Sequence, residues 1–306
     1  MNKIDQLNDI SWYVDKIKKL TVNGNVLPKN LYKYYPDEEK KISKYLSDIG
    51  ISLKDFSNVQ GSSIFENFIM AGYKDLVKIK NKIKYNKADT VPKKLVRIYN
   101  KFSKNNINNL IVSKFNIKVC PYCNENYIIN RGKNYTSAQL DHFFDKSNNP
   151  LLAICLYNLI PVCATCNRIK STNKLSVSPF DMDIDREQFH ISYKLKAADF
   201  ITNKDSLTIN FQTDGSDGEK INCDIEKLCI KGSYEFHNDY IQELLKKRYI
   251  YSDSQIEELY NTYPNLFESE EELIRIIFGN YFHTDDLNKR PLSKLTKDIL
   301  QELGLK

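Results

Sequence analysis

Four of the chain's seven cysteines stand in two tight pairs, CPYC (Cys120, Cys123) and CATC (Cys163, Cys166), with Cys163 40 positions after Cys123. Each pair places its thiols three residues apart, a spacing that lets one turn direct both sulfurs at a single ion. Two such pairs complete a tetrahedral set of four thiolates. That site is closed, with no coordination position left for substrate, and is therefore structural. Thiolates are too soft for Mg²⁺, so Zn²⁺ is the expected metal. Either pair alone also fits a redox CxxC motif; two pairs framing one short segment favour zinc. A zinc knuckle by itself does not establish catalysis, since many are only folding staples. The other cysteines (Cys155, Cys223, Cys229) lack ligand-like spacing and read as small buried apolar side chains.

The 306 residues suffice for one large domain or roughly two to three small ones. At 41% hydrophobic and 27% charged, the chain can bury a core and keep a charged surface. It has no run long and apolar enough for a transmembrane helix, and no membrane partner is expected. The opening MNKIDQLNDISWYVDKIKKL lacks the apolar core of a secretory signal, which leaves a cytoplasmic location as the default. In that compartment the cysteines are not expected to form a disulfide framework. The net charge of +6 is uneven. Residues 74–104 hold eleven Lys/Arg against two acids, so +9, which leaves −3 for the remainder. A local basic segment suggests a polyanion such as DNA. Lysine-rich helix faces are also commonly just solvated, and this chain is rich in Lys, Asn, Ile and Tyr throughout. Charge alone leaves the question open.

Residues 1–114 read as a mainly helical region. Asp37 opens DEEKKISKYLSDIG, with acids in the first turn and Gly50 as the stop. After Gly61-Ser62-Ser63 comes IFENFIMAGYKDLVKIKNKIK, apolar at intervals of three and four. Pro92 opens a third stretch. Residues 115–182 change character: strand-like YIIN and SAQLDHF flank the loop RGKNY with its turn-forming Gly132. The spacing then predicts a short helix in PLLAICLYN, a loop in LIPVC and a helix start at ATCNRIK. Residues 183–306 begin with the strands ISYKLKA and LTINFQ, joined through a turn at DGSDGEK to a helical remainder from Asp224. The expected class is α+β, mainly helical.

The segment inside the cysteine frame carries LDHFFDKS and LYNLIPVCATCNRIK. His142 is its sole histidine, and as a neutral imidazole it can take a proton from water near pH 7. Asp141 offers a hard carboxylate suited to Mg²⁺ or Mn²⁺. Neighbours on a strand face opposite ways, so the Asp-His pair is expected at a strand end or bulge. With CPYC, LDHF, LYNLIPVC and CNRIK in this order, the 115–182 segment resembles the HNH endonucleases, which use a ββα-metal fold. The resemblance implies that Asp141 binds the divalent ion and His142 is the general base. It implies that Asn158 fixes the loop orienting the histidine and that Asn167 is a second metal ligand. Lys170, one helical turn beyond Asn167, is placed to reach a phosphate oxygen. Asp145 and Lys146 read as solvated. His190, His237 and His283 receive no role.

The chain's ending, NKRPLSKLTKDILQELG, is similar to the tails of HNH proteins from prokaryotic anti-phage defence systems such as Septu, where an HNH protein works beside an ATPase. No Gly-rich phosphate loop is present, so any ATP-driven step would belong to a partner. The leading expectation is a metal-dependent endonuclease acting on DNA in such a system. Two alternatives stand beside it. One is a stand-alone restriction-type endonuclease, which requires side chains presented to base edges. The other is a non-catalytic, zinc-stapled nucleic-acid-binding module.

Overall fold

The computed structural model describes residues 1–21 and 36–305; the part of the expected N-terminal helical region at 22–35 lies outside them. The class is α+β and mainly helical, with small separate sheets of two antiparallel strands each. Two compact units, interleaved in sequence, divide the chain. One comprises Lys3–Asn116 and Ile128–Met182; the other comprises Met1–Asn2, Ile117–Tyr127 and Asp183–Lys306. No helix among the described residues is long and apolar enough to cross a membrane.

The first of these units begins with α1 (Ser11–Thr21) and α2 (Pro36–Asp48), the latter with Asp37, Glu38 and Glu39 in its first turn, where acids oppose the helix dipole. The stretch after Ser63 forms two helices, α3 (Ile64–Met70) and α4 (Tyr73–Lys82), because the backbone turns extended at Ala71-Gly72. Ser63 caps α3 by accepting from the Glu66 N–H at 3.2 Å. Then follow α5 (Thr90–Tyr99) and α6 (Ile107–Phe115). Phe65, Phe68, Leu76, Ile79, Leu95 and Ile111, spread over these four helices, are fully buried, so each helix turns one apolar stripe inward.

The expected strand at YIIN shrinks to β1 (Asn130–Arg131), paired with β2 (Tyr135–Thr136) around Gly132, whose φ of +71° favours a residue without Cβ. Next, β3 (Gln139–His142) pairs antiparallel with β4 (Leu159–Val162), and α7 (Ala164–Lys170) packs on β3. Two expectations are corrected here. PLLAICLYN is not an α-helix but two 3-10 turns, Pro150–Leu152 and Leu156–Asn158; LIPVC is strand β4 rather than loop. Both corrections have one cause. Every side chain from 150 to 163 is buried, so no polar face exists to reveal a period.

In the second unit, β5 (Phe189–Leu195) and β6 (Leu207–Thr213) form the expected antiparallel pair in continuous register. DGSDGEK is not a turn: it opens α8 (Gly215–Lys227). Gly218 lies so close to the Gln188 backbone that a Cβ there would fall 2.0 Å from the carbonyl oxygen, which explains a glycine inside a helix. After α8 come α9 (Ile230–Tyr234), α10 (Asn238–Ile250), α11 (Asp253–Thr262), α12 (Glu270–Phe278) and α13 (Ser293–Glu302). A Ser252/Gln255 capping box starts α11, and Ser269 with three glutamates starts α12. Buried α13 is tied to β5 by polar bonds: Asp298 accepts from the Ile191 N–H at 2.8 Å, and the Lys294 ammonium bridges Asp298 and the Phe189 carbonyl. Of the three cysteines expected in the core, Cys155 is buried, but Cys223 and Cys229 are exposed. Both border helical positions in which the neighbouring Ile225 and Ile230 take the apolar sites.

Candidate functional site

The sulfurs of Cys120, Cys123, Cys163 and Cys166 lie within 4.8 Å of one another, and all four residues are buried. Four thiolates around one Zn²⁺ at about 2.3 Å stand about 3.8 Å apart, so the cluster has the dimensions of a tetrahedral zinc site. Its surroundings supply N–H donors to sulfur, which favours thiolate over thiol. Cys123 Sγ accepts from the Glu125 N–H at 3.5 Å and from the Asn126 amide at 3.7 Å; Cys163 Sγ accepts from the Cys166 N–H at 3.5 Å. Cys163 occupies the N-cap of α7, so one metal ligand also starts the helix. The residues present fit a structural zinc ion.

The CPYC turn depends on Asn124, which the sequence reading did not single out. Its backbone is left-handed, with φ +54°. Its side-chain amide donates to the Leu287 carbonyl at 2.8 Å and accepts from the Lys294 N–H at 2.9 Å. An Asn directly after a CxxC turn is the available signal, because Asn tolerates that conformation best after Gly. The Tyr234 hydroxyl further fixes the knuckle by donating to the Cys123 carbonyl at 2.6 Å.

Asp141, His142, Asn158, Asn167 and Lys170 all sit on the β3–β4 pair, its connecting turns and α7. His142 is the last residue of β3, opposite Leu159. Its Nε2–H donates to the Ala153 carbonyl at 3.0 Å, and the Tyr99 ring packs edge-on with centroids 4.4 Å apart. Burial pushes the imidazole pKa down to about 4, with the Lys146 and Lys170 charges adding to the shift. A neutral ring at pH 7 can accept a proton, but a pKa this far below neutrality makes it a weak base. Tyr99 is pushed up to about 12 by burial and the Asp141 charge.

Lys170 is wholly buried, and its ammonium donates to the Asp141 carboxylate at 3.1 Å and to the His142 carbonyl at 2.8 Å. It is enclosed rather than presented to a phosphate. Asp141 is only 4% exposed, so this is an ion pair in the interior, bonding the end of β3 to the end of α7. Asn167 does not join it; its amide donates to Gln139 Oε1 at 2.6 Å. Asn158 has no exposed surface. It accepts from the Phe144 N–H at 2.8 Å and donates to the Phe144 and Leu152 carbonyls, bracing the loop after His142. As placed, these residues do not fit a divalent cation: the one carboxylate already faces an ammonium, and Asn167 is engaged elsewhere.

Asp145 corrects another expectation. It is buried, capping the turn to Asn148, whose N–H it accepts at 2.9 Å. Lys146 is half-buried, its ammonium 4.6 Å from the Tyr99 ring centre. The basic segment runs through α4 and α5. Lys82 pairs with Asp55 and Lys94 with Glu38, whereas Lys84, Lys93, Arg97, Lys101 and Lys104 have no acid partner among the described residues. Lys80 lies over Phe144 and Lys87 donates to Asn148, which places the segment beside the loop that follows His142. No family model, curated protein or solved structure matches the chain.

Proposed function

We propose that the chain is a zinc-stapled nucleic-acid-binding module, centred on residues 115–182. The observation that carries this reading is the set of cations without an acid partner among the described residues, Lys93 and Arg97 on α5 with Lys84, Lys101 and Lys104 flanking it, in a segment beside a hairpin that Cys163 and Cys166 tie to the metal cluster. Cations without internal partners are free to replace the counterions of a phosphate backbone. Lys93 and Arg97 lie one turn apart on α5 and share a face. Fluorescence anisotropy of labelled oligonucleotides against salt tests the reading on zinc-loaded protein. Lys93→Gln with Arg97→Gln is expected to weaken binding and to flatten the slope of log K against log salt by about 1 to 2. An unchanged slope would place the contact elsewhere; absence of binding would remove the reading.

A second reading, the HNH endonuclease, draws support from the order hairpin-then-helix and from the gathering of Asp141, His142, Asn158, Asn167 and Lys170 on it. It requires Asp141 to leave Lys170 before any Mg²⁺ or Mn²⁺ could be held, and His142 to become accessible to water. Nicking of supercoiled plasmid by the wild type with Mg²⁺, abolished in His142→Ala, would promote this reading over the first. A role in anti-phage defence beside an ATPase belongs to the same reading and depends on it.

A further inference from the structure

Beside the β3–β4 hairpin, in the unit formed by Lys3–Asn116 and Ile128–Met182, lies a cavity of about 400 Å³. That size is within the range of small-molecule pockets. Its walls come from separate elements: Tyr99 from α5, Asn109 from α6, Tyr135 from β2, Gln139 from β3 and Asn167 from α7. No lining side chain is ionised; amides, two phenols and a few small or apolar groups make up the wall. A phosphate, a carboxylate or a metal ion would find no counter-charge there. The chemistry suits a neutral, flat group whose edge carries both donors and acceptors.

The amide pair in the pocket wall sharpens this. Because the Asn167 amide donates to Gln139 Oε1, the Gln139 amide N–H₂ and the Asn167 carbonyl oxygen remain as an adjacent donor and acceptor. A donor–acceptor pair of this kind is what Asn or Gln offers to the edge of adenine. The Asn109 amide nitrogen is enclosed without an acceptor, and the broad χ2 torsion of Asn lets it turn toward a ligand. Tyr135 is 74% exposed and presents an aromatic face to solvent. Tyr99 lines the pocket and also packs on His142, so the cavity adjoins the hairpin's histidine.

We infer that this pocket holds one unpaired nucleobase of a single strand, stacked on Tyr135 and read by the Gln139–Asn167 amide pair. The inference rests on the nucleic-acid reading above and adds the substrate form. In a duplex the base edge is paired and its faces are stacked, so only a single-stranded or extruded base can enter. The backbone on either side of that base would then run toward Lys93 and Arg97 of α5.

The test uses the full zinc-loaded chain and a short oligothymidine strand carrying one 2-aminopurine. Stacking on Tyr135 is expected to quench the fluorescence on binding. An abasic residue at that position is expected to weaken binding about tenfold, as is Tyr135→Ala, which also abolishes the quench. Tyr135→Phe should restore both. Asn109→Leu should weaken binding less while leaving Lys93 and Arg97 dependence intact. Equal affinity for intact and abasic strands, with no effect of Tyr135→Ala, overturns the pocket and leaves the nucleic-acid reading standing. Deoxyadenosine monophosphate bound as tightly as the strand overturns the strand assignment in favour of a free nucleotide. A chain that binds no strand at all sinks both.

Discussion

Two buried polar clusters, the four cysteines and the Asp141–His142–Lys170 group, solve opposite electrostatic problems. The cysteine cluster gathers four soft sulfur ligands, with N–H donors to Cys123 and Cys163, an arrangement suited to one cation at its centre. The other cluster gathers one hard anion and supplies its own cation, the Lys170 ammonium, together with a histidine that burial keeps neutral. One is incomplete without an ion and the other is complete without one. Candidate ligands in a sequence therefore do not by themselves indicate a metal. The residue that comes to rest against them decides.

Breaking the first half of the comparison should have the largest effect. Cys163→Ser, or removal of zinc by a strong chelator, is expected to cost the module its cooperative fold, since metal binding and folding are one equilibrium in such sites. Zinc content by elemental analysis and a circular dichroism melt check this; a Cys163→Ser chain that melts like the wild type contradicts it. In the second cluster, Lys170→Ala leaves Asp141 buried without its cation and should cost about 3–5 kcal/mol in urea unfolding. The double change Lys170→Met with Asp141→Leu should recover most of that loss, because it removes both charges together.

The histidine sharpens the contrast through pH. Above pH about 6.5 the ring is neutral in both folded and unfolded chains. Below it the unfolded chain takes up a proton that the folded ring resists until pH about 4. His142 should therefore contribute stability at neutral pH that is lost as pH falls across this window, on the order of 3 kcal/mol in total. Unfolding free energies of wild type and His142→Gln, measured from pH 7 to pH 4, should converge as the pH drops; parallel curves would show that the ring is not buried neutral. Asn158→Ala should have the smallest effect, about 1–3 kcal/mol, by stranding the Phe144 N–H and two carbonyls. Loss of amide protection confined to the loop after His142, read by hydrogen exchange, would locate that cost.

Features set by neighbours in sequence were the legible ones. The two CxxC pairs, the acidic first turn of α2 and the strand character of β5 and β6 all signal within a few residues. What escaped depends on partners far along the chain or on total burial. The 150–163 segment hides its period because all of its faces are covered. Lys170 and Asp141 are 29 positions apart, and nothing local announces that they pair. Asp145 looks like a surface acid until Asn148 folds over it. Asn124 offers a local signal, an Asn directly after the CxxC turn, but its bonds to Leu287 and Lys294 lie far along the chain.

The contrast between the two clusters is open to direct measurement with Mn²⁺ as a paramagnetic probe. Zinc-loaded chain is titrated with Mn²⁺ beside a bound oligonucleotide, and bound ions are counted by electron paramagnetic resonance. The account predicts one zinc per chain and no Mn²⁺ beyond that held by the oligonucleotide alone. One additional Mn²⁺ per chain, lost in Asp141→Asn, would contradict it and show that Lys170 yields its place to a divalent ion.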